Sequence, residues 1–109
     1  MEGREWAEEA CIALRDGRTV EIRPNGRSLT GVVEDGELVR LVPCDPAEIT
    51  VGDVVLARVR GHLIVLRMVL GVGPGRALIG NSAGREDGWV GFEDVFGRAT
   101  RVEEEHRGC

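Results

Sequence analysis

The chain has no lysine and no tyrosine, and aromatic residues make up only 4% of its 109 positions. So few aromatics all but exclude a stacking platform for a single-stranded nucleic acid. All of the basic charge is arginine, scattered singly, and the net charge is -5, which makes the chain a poor general binder of phosphate backbones. Histidine is limited to His62 and His106, far apart and without paired cysteine or H-x-E spacing, so no metal site is expected. Cys11, Cys44 and Cys109 are odd in number and widely spaced, which excludes a disulfide framework and points to a reducing cytoplasm. The longest apolar run, LIVLRMVL, is too short to span a bilayer and contains Arg67. The acidic start MEGREWAEEA has no apolar stretch of the signal-peptide kind. An unanchored, cytoplasmic protein with no cofactor and no nucleic-acid or membrane partner is the expectation.

With few aromatics, the core must rest on Val, Leu, Ile and Ala. The length suits one domain, 1–109. Residues 4–16 read as an amphipathic helix, with Trp6, Ala10, Ile12 or Ala13, and Leu14 near one face, and Gly17 as its C-cap. Everything beyond it, 18–102, reads as β, with 103–109 a frayed tail. Strands are expected at 19–23, 38–42, 54–60, 63–70, 77–80 and 97–103, with 63–70, the most apolar, at the centre. Turns are expected at Asn25-Gly26, Asp35-Gly36, Gly61-His62 and 71–75, and a polar loop at 81–88. The fold class is mainly β, a barrel-like or coiled sheet with one short N-terminal helix.

Three local motifs have plain readings. GVGPG, residues 71–75, lacks the Lys-Ser/Thr of a phosphate cradle and reads as a hairpin turn. Cys44 stands beside Asp45 in a loop, where a carboxylate disfavours the thiolate, so it reads as structural or incidental. Ser28 follows Asn25-Gly26-Arg27 at a strand exit. A tight glycine-flanked turn can expose a hydroxyl and offer an N–H to an oxyanion, yet serine in such a turn is commonplace.

The order of segments adds to this. GRSLTG, EDGELV, VGDVVL, LIVLRMV, LIGNSAGREDGWV and FGRATRV follow one another across residues 18–102. That series resembles the signal-peptidase and LexA-type serine peptidases, with their Gly-x-Ser-Met, acidic-Gly, Gly-Asp-hydrophobic, basic strand, Gly-Asn-Asn and Gly-x-Val segments. The resemblance implies Ser28 as nucleophile, its own N–H in the oxyanion hole, and a peptide or protein substrate bound as an extended strand. It implies that Gly26, Leu29 and Arg67 lie beside the substrate, that Gly52-Asp53 is a structural turn, and that a homodimer could form through an exposed edge strand. Leu29 replaces the family's Met, a change of similar volume.

One departure is serious. The family's general base, Lys or His, falls at Leu66, and the chain has no lysine to substitute. Arg67 stays protonated and is a poor base. His62 keeps the strand parity of position 66 but stands about 13 Å away at ~3.3 Å per residue. A positioned base contributes roughly two to four orders of magnitude in rate. The resemblance therefore leaves two functions open: a serine endopeptidase of reduced or no activity, or a pseudo-peptidase that binds a peptide or protein without cutting it.

Overall fold

The computed structural model describes residues 3–23 and 37–101. It has one helix, α1 (Gly3–Arg15), and seven strands: β1 (Val20–Ile22), β2 (Val39–Val42), β3 (Val54–Val59), β4 (Leu63–Gly73), β5 (Arg76–Gly80), β6 (Glu86–Gly91) and β7 (Val95–Arg101). The strands form one sheet in the order β1-β2-β7-β3-β4-β5-β6, every neighbour antiparallel.

The helix follows from its apolar spacing. Ala7, Ala10, Cys11 and Leu14 recur at i, i+3, i+4 and i+7 and are all buried. Of the two residues expected as alternatives near that face, Ala13 is half-buried, while Ile12 falls off the stripe and is 60% exposed. Beyond Arg15 the chain reverses as expected at Gly17, whose φ of 83° is open to glycine without strain. The Gly17 and Arg18 amides donate to the Leu14 and Ala13 carbonyls, which closes the helix end.

Strand β3, not 63–70, sits at the middle of the sheet, because β7 pairs with its other edge. Both faces of β3 are covered. Val54 and Leu56 join Ile22, Val39, Leu41, Leu66 and Phe96 beneath α1. Val55, Ala57 and Val59 join Val69, Ala77, Ile79 and Val90, with Ile49 from the turn before β3. β6 curls back to touch β3 and helps enclose this second core. The single antiparallel sheet therefore carries two small, mostly aliphatic cores, one on each face of β3.

Gly97 permits the close approach of α1 to the sheet. A Cβ there would meet the Leu14 methyls at 2.9 and 3.0 Å and the Val42 carbonyl oxygen at 2.8 Å. The helix end is also fastened by charge. The guanidinium groups of Arg15 and Arg58 lie 4.9 and 5.2 Å from the Phe96 ring centroid.

Three further boundaries differ from the sequence expectation. β4 runs on to Gly73 because Gly71, Val72 and Gly73 pair with Leu78, Ala77 and Arg76, which shrinks the 71–75 turn to Pro74-Gly75. The 81–88 loop ends at Arg85, and β6 adds a strand that local composition did not suggest. β7 begins at Val95 rather than 97. The turn at Asn25-Gly26 and the 103–109 tail lie outside the described residues.

Candidate functional site

Position 66 is where the resemblance drawn from the sequence would place a base. Leu66 pairs across the sheet with Leu56 and is 7% exposed. It belongs to the cluster that Ala10, Cys11 and Leu14 of α1 cover. The same cluster includes the Cys11 thiol. Burial raises the pKa of that thiol, with Arg15 and Arg58 opposing and Glu8 adding to the rise, so it stays protonated at neutral pH.

Arg67 points to the opposite face of β4. Its Nε donates to Asp87 Oδ2 at 3.0 Å and its Nη1 donates to the Leu66 carbonyl oxygen at 3.0 Å. Both partners of this ion pair are shielded, at 24% and 21% side-chain exposure. The guanidinium thus ties β4 to the start of β6. Asp87 was not singled out in the sequence. The signal that could have found it is that β6 exists at all, since the pair bridges two strands that only the sheet order brings together.

His62 lies in the β3–β4 turn. Its N–H donates to the Val59 carbonyl, and its Nδ1 stands 2.8 Å from the Arg60 carbonyl oxygen. The ring is exposed, and Nδ1 acts as the donor to that oxygen. It is a turn residue just before β4, five positions ahead of Arg67. Ser28, Gly26 and Leu29 lie outside the described residues.

Two polar turns give the site its frame. Asp53 Oδ2 accepts from the Thr50 N–H at 3.0 Å, while its backbone carbonyl accepts from Val69 at 2.8 Å. The Gly52-Asp53 turn is thereby locked onto β4. In the loop between β5 and β6, Asn81 Oδ1 accepts from the Ala83 and Arg85 amides at 3.0 and 2.9 Å. The Asn81 N–H in turn donates to the Arg85 carbonyl at 2.9 Å. One side-chain oxygen organises that loop, as asparagine does in turns.

Cys44 is half-buried. Burial is the main cause that raises its thiol pKa; Arg98 opposes, and Glu48, Asp53 and Asp45 add smaller increments. Neighbouring carboxylates act as the sequence suggested, but desolvation comes first. Among the described residues no group of three His, Cys, Asp or Glu side chains could hold a metal ion. No described helix is long and apolar enough to cross a membrane. Comparison with protein-family models, curated proteins and solved structures finds no match to this chain.

Proposed function

We propose that the chain is a peptidase-like protein of the LexA and signal-peptidase kind that binds an extended peptide segment without cutting it. Ser28 stands in the nucleophile's place in this scheme, and Leu66 in that of the lost base. The observation that carries the reading is the burial of Leu66. An aliphatic side chain at 7% exposure beneath α1 can accept no proton from a serine hydroxyl. A serine without a base is barely nucleophilic near neutral pH. Neither Arg67, held by Asp87, nor His62, held in its turn, offers a substitute.

The test is mass-spectrometric profiling of a diverse peptide library incubated with the purified chain, beside its Ser28→Ala variant. Equilibrium capture of the same library by both proteins is measured in parallel. Retention of a subset of peptides without cleavage supports the proposal. Cleavage that disappears with Ser28→Ala overturns it in favour of a serine endopeptidase, and requires a base that Leu66 does not provide. Neither capture nor cleavage also overturns it.

A further inference from the structure

Arg18, Arg40, Arg58 and Arg67 each hold a carboxylate. Arg15 and Arg76 lie against the Phe96 and Trp89 rings. Arg98 does neither. Its Nε is buried and has no hydrogen-bond partner among the described residues. The cause is its place in the sheet. Arg98 stands on β7 between Val42 of β2 and Val55 of β3. Residues paired directly across strands share a face. Val55 belongs to the core on the face away from α1, so Arg98 lies on that face too. Two valines flank its stem, and neither side chain offers Nε an acceptor. Nε is the one nitrogen of Arg98 that is both buried and unpartnered, and the residue as a whole is half-buried, so the end of the guanidinium faces outward.

The neighbouring carboxylates are turned elsewhere. Cys44, two residues past β2, is close enough to feel the Arg98 charge. Burial raises the pKa of that thiol, Arg98 opposes the rise, and Glu48, Asp53 and Asp45 add to it. Those three carboxylates therefore share the neighbourhood. Yet Asp45 Oδ1 accepts from the Ala47 N–H and Asp53 Oδ2 from the Thr50 N–H, each at 3.0 Å. Glu48 is exposed. Among the described residues none of the three forms an ion pair with Arg98.

We propose that the Arg98 guanidinium, with Val42 and Cys44 beside it, is a binding site for a carboxylate monoanion. A guanidinium that has lost water at Nε and gained no acceptor attracts an anion more strongly than a fully hydrated one. Its planar fork matches the two oxygens of a carboxylate. A dianion such as phosphate would meet the field of Asp45, Glu48 and Asp53 more strongly than a single charge does. The carboxylate can belong to a small organic acid or to the C-terminus of a peptide. The site lies on the sheet face away from Leu66 and requires neither Ser28 nor the peptidase resemblance.

The probe is sodium propionate, titrated at constant ionic strength into the isotope-labelled full chain and followed by the Nε–H signal of Arg98. The expected result is a saturable shift of that signal, with none from propionamide and weaker binding of inorganic phosphate. Arg98→Lys keeps the charge without the fork and should weaken binding roughly tenfold. Arg98→Met should abolish it, and Arg18→Met, at an exposed arginine, should leave it unchanged. Alkylation of Cys44 should slow in saturating propionate, because the bound charge cancels the one that favours the thiolate. Two acetylated dialanine peptides, one with a free C-terminal carboxylate and one amidated, separate the sources. Binding of propionate supports a free acid, and binding confined to the carboxylate peptide supports a peptide end. The proposal is overturned by an Arg98 signal that moves with none of the carboxylates, by an equal response to propionamide or the amidated peptide, by tighter binding of phosphate, or by an Arg98→Met variant that binds like the parent.

Discussion

Leu66 of β4 stands directly opposite Leu56 of β3, and both side chains are sealed under α1 in one cluster. A residue in that pair has its character set by packing. It follows that restoring a lysine there is first a question of stability. Leu66→Lys should cost about 3–5 kcal/mol, the usual penalty for a buried charge left unpaired. Leu66→Met should cost less than about 1.5 kcal/mol. The sign of the pH dependence separates the causes. Burial depresses the pKa of the introduced ammonium below its unfolded value of ~10.4. The unfolded state then binds more protons, so the variant should gain stability relative to the parent as pH rises toward that value. Urea melts of the three proteins between neutral pH and pH ~10 measure this.

The two described thiols predict the opposite trend. Burial raises both Cys11 and Cys44 above the ordinary value of 9.0. A group whose folded pKa is raised contributes stability that is fully present below its unfolded pKa and is lost as pH climbs through the folded one. The parent should therefore lose stability above pH 9.0 more steeply than Cys11→Ala. Alkylation mapped by peptide mass should be slow at both sites at neutral pH, and slower at buried Cys11 than at half-buried Cys44.

Gly97→Ala should destabilise the fold by about 1–3 kcal/mol, since the added methyl overlaps the Leu14 methyls and the Val42 carbonyl. Leu14→Ala removes the two Leu14 methyls from that conflict while opening a cavity of its own. The two changes together should cost less than their sum. A double-mutant cycle in thermal or urea unfolding reads the coupling directly.

Asn81→Ala should leave the Ala83 and Arg85 amides without their shared acceptor and cost about 1–2 kcal/mol. Asn81→Asp keeps an acceptor in place and should cost less. Hydrogen exchange at those two amides should quicken in the alanine variant and far less in the aspartate one.

How far these features could be read in advance depended on whether their cause was local. The helix, its glycine stop and the aliphatic strands at 38–42 and 54–60 were legible because spacing and turn residues specify them within a few positions. β6 was not. EDGWVG is poor in β-formers, and it becomes a strand because Trp89, Val90 and Gly91 find Leu78, Ala77 and Arg76 on β5. The central place of β3 was equally hidden, since nothing in its own composition says that β7, forty residues later, will lie against it. At the candidate site, Leu66 was legible as an apolar residue at the position where the resemblance implies a base. Its position beneath α1, and the capture of Arg67 by Asp87, became visible only once the strands were ordered.

The sheet order has a consequence for how this chain can be made. β7 is inserted between β2 and β3, so two strands close in sequence are joined only through the last of the described strands. Until residues 95–101 have left the ribosome, β2 and β3 each expose an unpaired edge, and the cluster beneath α1 lacks Phe96. Residues up to 101 must be present before this sheet can shut. A truncation just short of Val95 would do more than trim an end: it would leave a helix and six strands with an open seam down the middle, a form prone to self-association and recognisable to proteolysis.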